Sequence, residues 1–320
     1  MASHKPVIIF MGTPRFAVPS LEILIEKGYQ VRAVVTAPDK PSGRGLKMRE
    51  SAVKLAALAN NIEVLQPSNL KEDRLAETLR HFAADLFVVV AFRMLPEKIW
   101  TIPPLGTVNL HASLLPLYRG AAPINHAIIN GEKITGVTTF LIEKEIDTGK
   151  ILLQEKTGIG NNETAGDLHD RLMVDGARLL LKTIEAITAG TVTPKAQGES
   201  ACRGNLPAAP KITKIDCRIN WSQPADRLYD FVRGLSPYPG AWTSLGDGNK
   251  VLTVKIFEVE KIADAHTFNP GRLIVSNNQL IIATGKGSVL VKRLQPEGRR
   301  PMTGPEFIRG FRPGPGASCI

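Results

Sequence analysis

Cysteine is scarce in this sequence, and its scarcity excludes two kinds of stabilisation. Cys202, Cys217 and Cys319 are the only 3 cysteines among 320 residues. Odd in number, far apart and without a CxxC pair, they support neither a disulfide framework nor a thiolate zinc site. No metal is expected. Long apolar runs are missing too, and nothing approaches the roughly 18 residues of a membrane helix. The N-terminus passes from Met-Ala-Ser-His-Lys-Pro into five apolar residues, without the longer apolar segment and small-residue cleavage site of a secretory leader. A cytoplasmic protein with no membrane partner and no obligate protein partner is expected. No internal repeat recurs at a solenoid period. A hydrophobic share of 43% and a charged share of 22% are ordinary for a globular protein and suggest neither disorder nor a fibrous repeat.

What the chain does have is positive charge. The formal net charge is +10, which points to a polyanionic partner. It is uneven. Residues 206–320 hold 16 Lys and Arg against 9 Asp and Glu, which leaves 24 against 21 in the rest. The C-terminal third is therefore the better candidate for a nucleic-acid surface.

The length suits two domains. Apolar runs at residues 7–11, 31–35, 64–65, 86–91 and 107–111 alternate with helical patterns at 16–27, 51–60, 72–82 and 123–130. Ser51 is placed as an N-cap, and Gly28 and Gly131 as stops. Such alternation predicts an α/β doubly wound, Rossmann-like domain with a parallel sheet. Residues 136–142 and 151–155 read as β segments and 164–189 as one long helix. Residues 191–210 have the mixed Pro, Gly, Ser, Ala and Lys composition of a linker. Beyond Ile219, short strands at 250–259, 271–275, 279–284 and 288–294 predict a small β-barrel. The expected division is a domain over 1–190, a linker over 191–210 and a barrel domain over 211–320.

Chemistry concentrates on one strand. Asn109 and His111, two residues apart, project from the same face, at the carboxyl end of a strand where open α/β sheets place their ligands. A neutral imidazole accepts a proton near pH 7, and an amide N–H can bond a carbonyl oxygen becoming an oxyanion. That pair suits acyl transfer to an amine; a histidine bonded to backbone in the core is the competing reading. Asp147 lies in a turn, where aspartate is common for conformational reasons alone, but a carboxylate beside an imidazole favours its protonated form. Ser113, Leu114, Leu115 and Pro116 follow the strand, and with the small residues after them they either shape an apolar, backbone-lined pocket or form an ordinary loop. Gly12-Thr13-Pro14 sits where dinucleotide-binding folds carry GxGxxG, but Pro14 and Ala17 replace the later glycines, which argues for a tight turn and against a nicotinamide cofactor. Finally, residues 39–49 form a long loop carrying Lys40, Arg44, Lys47 and Arg49. It reads either as a phosphate-seeking element, with Leu46 and Met48 able to wedge against bases, or as a solvated surface loop.

Taken together these segments resemble the formyltetrahydrofolate-dependent formyltransferases, in particular the branch that acts on aminoacylated initiator tRNA. The resemblance runs through Ile8-Ile-Phe-Met-Gly-Thr-Pro14, Asn109-Leu-His111, Ser113-Leu-Leu-Pro116, Arg119-Gly-Ala-Ala-Pro123, Gly136-Val-Thr138 and Asp147-Thr-Gly149. It resumes at Ile219-Asn-Trp221 and Pro237-Tyr-Pro-Gly-Ala-Trp242. It implies a catalytic triad of Asn109, His111 and Asp147, and a folate loop at Ser113, Leu114, Leu115 and Pro116. It also implies an insertion loop engaging the acceptor end of tRNA, with Arg44 at the family's functionally important arginine, and an OB-like C-terminal barrel that helps hold tRNA. The implied donor is 10-formyltetrahydrofolate and the implied acceptor the amino group of methionyl-initiator tRNA. The stretch Ala91-Phe-Arg-Met-Leu-Pro96 departs from the family, where many members have a Tyr-Gly segment one residue longer. An amino sugar nucleotide, a glycinamide nucleotide or water as acceptor remain alternatives, as does a noncatalytic nucleic-acid-binding module.

Overall fold

A computed structural model describes residues 5–42, 47–198, 206–247, 250–263, 266–314 and 316–319. Contacts divide the chain into two compact units that are each discontinuous in sequence. The first comprises Met1–Gly120, Thr135–Thr157 and His169–Ala208; the second comprises Ala121–Ile134, Gly158–Leu168 and Ala209–Ile320.

In the first unit the regular elements, in chain order, are β1 (Ile8–Gly12), α1 (Val18–Glu26), β2 (Val31–Val35), β3 (Lys40–Ser42), β4 (Lys47–Arg49), α2 (Ala52–Ala59), β5 (Glu63–Leu65), α3 (Asp73–His81), β6 (Leu86–Val90), α4 (Glu97–Trp100) and β7 (Thr107–His111). Then come β8 (Ile134–Leu141), β9 (Ile151–Gly158) and the long helix α6 (Ala165–Thr188), of which Ile134, Gly158 and residues 165–168, like the whole of α5 (Pro123–Ile129), fall in the second unit. The sheet order is β5-β2-β1-β6-β7-β8-β9. The first five strands pair in parallel, and β8 runs antiparallel to β7. β1 and β6 are buried along their whole length, as expected of strands covered by helices on both faces. Because the chain winds outward from β1 in one direction and from β6 in the other, the β1/β6 junction is a topological switch point.

The expected caps and stops are present. The Ser51 hydroxyl accepts from Lys54 N at 3.0 Å, and Gly28, Gly131 and Gly190 follow their helices with φ of +70°, +78° and +66°, the left-handed conformation that glycine adopts without a Cβ penalty. Gly12 permits close packing: a Cβ there would lie 2.8 Å from Ala17 Cβ and 3.0 Å from Val90 O. The tight-turn reading of Gly12-Thr13-Pro14 agrees with this.

The second unit is built on a seven-stranded antiparallel sheet of β10 (Ala241–Asp247), β11 (Lys250–Ile262), β12 (Leu273–Ser276), β13 (Gln279–Ala283), β14 (Ser288–Pro296), β15 (Met302–Thr303) and β16 (Ser318–Cys319). Its order is β12-β13-β14-β11-β10-β16. A further bridge from Arg272 to Ser318 brings the two ends together, so the barrel is nearly closed. Reading this region as strands alone is corrected by two helices, α7 (Ala225–Gly234) and α8 (Gly304–Phe311). Ala225, Leu228, Val232 and Leu235 recur at helical spacing, and all four are buried in the barrel's core. α8 carries a full capping box, in which Thr303 and Glu306 each satisfy the other's backbone N–H.

Candidate active site

β7 carries the pair singled out from spacing. Pairing with Val89 on one side and Phe140 on the other fixes Asn109 within the sheet. His111 pairs with Thr138 at the strand's carboxyl end. On the opposite face Leu110 meets Gly176 of α6, where an added Cβ would lie 2.8 Å from Leu110 Cδ2; the helix therefore backs the strand at close range.

His111 is buried, at 7% exposure. Its Nε2 pairs with Tyr118 O at 2.9 Å, and its Nδ1 stands 3.7 Å from Asp147 Oδ2. The nearest reach of the imidazole to a carboxylate is thus an electrostatic contact and not a hydrogen bond, whose N···O distance is at most about 3.2 Å. Asp147 Oδ2 accepts instead from Gly120 N at 2.9 Å. Asn109 is half-buried, and its side-chain amide bonds to no described residue. Donor and acceptor capacity is therefore left over on the face it shares with His111.

The backbone around this group is unusual. Tyr118 and Asp147 have φ of +59° and +56°, a region that side chains other than Gly, Asn and Asp seldom adopt. Each is held by bonds on its own peptide groups. Tyr118 N donates to Pro207 O at 2.6 Å, and Asp147 O accepts from Gln197 Nε2 at 2.9 Å. Lys195 exchanges two backbone bonds of 2.8 Å with Ile151. Residues of the stretch with linker composition are thus stitched to the loops that carry the candidate site.

The Ser113-Leu-Leu-Pro116 loop is internally knotted. Ser113, fully buried, donates through Oγ to Leu117 O at 2.7 Å. Thr138 Oγ1 donates to Ser113 O at 2.6 Å and accepts from Leu115 N at 3.2 Å. Gln154 Nε2 donates to both Leu115 O and Thr138 Oγ1, at 2.8 and 2.9 Å. Leu115 is buried, while Leu114 and Pro116 are half-buried. Sequence reasoning missed Gln154 and Gln197, because a glutamine in a strand or a low-complexity stretch carries no periodic signal.

The basic loop has regular structure at its base. β3 and β4 pair antiparallel, with Lys40 opposite Arg49 and Ser42 opposite Lys47. Lys40 and Arg49 are exposed, and neither forms an ion pair with another described residue; Met48 is 61% exposed. Arg44 and Leu46 lie outside the described residues. Below the hairpin, Asp39 takes a 2.5 Å ion pair from Lys54 and a 2.8 Å bond from Gln66. Those two bonds hold the Asp39 carboxyl below its ordinary value, and Asp39, then Glu50, hold Lys54 above its own. In the departing stretch, Ala91 has φ +47°, and Arg93 donates to Pro67 O and Ser68 O at 2.8 and 3.2 Å.

An amide, an imidazole and a carboxylate at the carboxyl edge of an open α/β sheet are the kinds of group that a group-transfer site uses. Comparison with known proteins gives the family. The formyl transferase family pattern matches residues 4–184, and the pattern of the formyl transferase C-terminal domain matches residues 211–312. A methionyl-tRNA formyltransferase of Bacteroides thetaiotaomicron is 49% identical over 307 residues, covering 95% of each chain. That of Flavobacterium johnsoniae is 47% identical over 308 residues, covering 96% of this chain and 97% of its own. Among solved structures, WlaRD, a sugar 3N-formyl transferase in the presence of dTDP and 5-N-formyl-THF, is 21% identical with a TM-score of 0.64, covering 93% of this chain and all of that one. HypX from Aquifex aeolicus in complex with tetrahydrofolic acid is 17% identical with a TM-score of 0.64, covering 96% of this chain and 48% of its own. At those identities the two structures bear on the fold alone. The chain belongs to the formyl transferase family.

Proposed function

We propose that this protein transfers the formyl group of 10-formyltetrahydrofolate to the α-amino group of methionyl-initiator tRNA, in the cytoplasm, as a step of translation initiation. The observation that carries this reading is identity of 46–49% to methionyl-tRNA formyltransferases across at least 94% of both chains, joined to the Asn109, His111 and Asp147 constellation. The donor supplies an N-bound formyl group. Its cradle is the Ser113 to Pro116 loop: the buried hydroxyl of Ser113, the buried side chain of Leu115 and the backbone bonds to Thr138 and Gln154 hold the loop's shape, leaving the half-buried Leu114 and Pro116 to face a ligand.

In the transfer, the amine nitrogen bonds to the formyl carbon and the carbon's bond to folate N10 breaks. One proton leaves the amine and one arrives at N10. The amine needs positioning more than deprotonation, since an ordinary α-amine has a pKa near 8. The Asn109 amide, bonded to no described residue, donates to the formyl oxygen as it gains charge, and preorganised donors of this kind stabilise the transition state. His111, fixed by Tyr118 O, presents its ring to the same centre. Asp147 tunes and orients that ring and helps relay the amine proton. Lys40, Arg44, Lys47 and Arg49 contact the acceptor end of the tRNA, and the basic surplus of residues 206–320 neutralises its phosphates, so affinity falls steeply with salt.

The test is formyl transfer from labelled 10-formyltetrahydrofolate to methionyl-initiator tRNA, beside uncharged tRNA, free methionine, amino sugar nucleotides and glycinamide ribonucleotide. Label on charged tRNA alone supports the proposal. Label on a small nucleotide keeps the catalytic reading and discards the acceptor, and no turnover with any acceptor, water included, discards both.

A further inference from the structure

We infer that Gln197 is a positioning residue for the transfer, a clasp whose side-chain amide sets the placement of Asp147 against His111. This rests on the proposed function for its kinetic readout but on geometry alone for its second one.

Two loops hold the His111 and Asp147 pair. The first, after β7, contributes Tyr118 O to His111 Nε2 and Gly120 N to Asp147 Oδ2. The second carries Asp147 and Gly149. Gln197 bridges them with every polar atom of its side chain. Its Nε2 donates to Asp147 O at 2.9 Å and to Gly149 O at 2.8 Å. Its Oε1 accepts from Arg119 Nε at 3.1 Å and from Arg119 Nη2 at 2.5 Å. Arg119 stands between Tyr118 and Gly120 in the first loop. A closed circuit results, running from His111 through Tyr118, Arg119, Gln197 and Asp147 back to His111.

The circuit has a physical reason. Asp147 holds a left-handed backbone conformation at φ +56°, and such conformations persist where the surroundings over-determine them. Without Gln197, the carbonyls of Asp147 and Gly149 lose their shared donor. The 3.7 Å approach of carboxylate to imidazole then keeps only the bond from Gly120 N to the carboxylate itself, with the bonds from Leu141 N to Lys150 O and from Thr148 Oγ1 to Glu145 O holding the turn more remotely. At metal sites, groups that orient the ligands through a second layer of hydrogen bonds typically contribute about 10- to 100-fold to affinity or activity, a scale extended to the side chain that orients Asp147, and a misplacement of about 1 Å can cost about 100-fold.

The experiment uses the full chain and the variants Gln197→Ala, Gln197→Glu, Asp147→Asn and the double Gln197→Ala/Asp147→Asn. Single-turnover transfer should fall about 10- to 100-fold in Gln197→Ala, with folate binding within about twofold of the parent. Gln197→Glu keeps an acceptor for Arg119 but has no donor for the two carbonyls, so it should lose as much as the alanine variant. In the Asp147→Asn background, Gln197→Ala should cost little more, since it acts through Asp147. Full activity in Gln197→Glu, or an undiminished effect in the double variant, overturns the inference. The second readout is independent of turnover: the ring-nitrogen NMR signals of His111, assigned by their loss in His111→Gln. These should respond to Asp147→Asn in the parent and respond less in the Gln197→Ala background. An equal response in both backgrounds overturns the inference even if the acceptor proposed above proves wrong, whereas absent transfer with a lost response discards only the acceptor.

Discussion

Asp147 Oδ2 lies 3.7 Å from His111 Nδ1 but accepts its hydrogen bond, at 2.9 Å, from Gly120 N. The carboxylate is therefore beside the imidazole without being bonded to it. Catalytic hydrogen bonds are often long in the free enzyme and shorten when substrate is bound. Asp147→Asn retains an oxygen for Gly120 N and removes the charge facing His111. The variant should fold as the parent does and lose about 100-fold or more in single-turnover rate, with folate affinity little changed. An unaltered rate would remove Asp147 from the chemistry.

Asn109 and Ser113 are four residues apart, and their side chains have opposite commitments. The Asn109 amide bonds to no described residue, whereas Ser113 is fully buried with its hydroxyl on Leu117 O. Asn109→Ala should therefore leave the midpoint of denaturant unfolding nearly unmoved while slowing transfer about 100- to 1,000-fold, as expected for loss of an oxyanion donor. Ser113→Ala should do the reverse, costing about 1 kcal/mol of stability through the unmet carbonyl with a smaller effect on rate. Finding both effects in the same variant would show that the two side chains are not separated in this way.

How far the site could be read in advance followed the range of the interactions. Asn109 and His111 share a face because strand side chains alternate, a rule confined to three residues, and Ser51 and Gly28 mark helix ends by equally local chemistry. α7 was hidden in a region dominated by strand signals, although the spacing of Ala225, Leu228 and Val232 was there to be counted. The approach of Asp147 to His111 and the clasp at Gln197 join segments distant along the chain. Nothing in local periodicity encodes such pairings, and only family resemblance pointed to Asp147; nothing pointed to Gln197. The basic hairpin falls between these cases, since charge marked the loop while the β3–β4 pairing depends on a register that charge does not specify.

Gly149 ends the Asp147-Thr-Gly149 segment for a steric reason. A Cβ there would sit 1.7 Å from Leu141 O and 2.9 Å from Leu141 C, and a backbone carbonyl cannot swing aside as a side-chain tip can. Gly149→Ala must therefore push the turn away from the end of β8, moving Asp147 with it. The expected outcome is destabilisation of about 3 kcal/mol or more, at the upper end of what overpacking costs, together with loss of transfer. Gly190→Ala is the control for backbone conformation alone: it has φ +66° with nothing within 4 Å of the added Cβ. It should cost about 1 kcal/mol and leave the rate intact. Equal stability losses in the two variants would mean that the crowding at Leu141 relaxes without consequence.

The Asp39–Lys54 pair anchors the basic hairpin, and its contribution to stability has a definite sign in pH. Bonds from Lys54 and Gln66 lower the Asp39 pKa on folding, so its contribution is fully present above the unfolded value near pH 4 and is lost as pH falls through the lowered folded value. Asp39 and Glu50 raise the Lys54 pKa, so its contribution is fully present below the unfolded value near pH 10.4 and is lost as pH rises through the raised one. Between those limits the anchor is intact. Lys54→Met keeps the length of the side chain and removes its charge, so the parent should melt above the variant at pH 7. That gap should close progressively as pH falls below about 4, where the unfolded chain begins to bind the Asp39 proton, and on through the lowered folded value, and it should begin to close again above about pH 10.4. Thermal unfolding of both proteins across this range decides the matter. A gap that stayed constant from pH 7 to pH 3 would show that Lys54 acts through packing of its stem and not through its charge on Asp39.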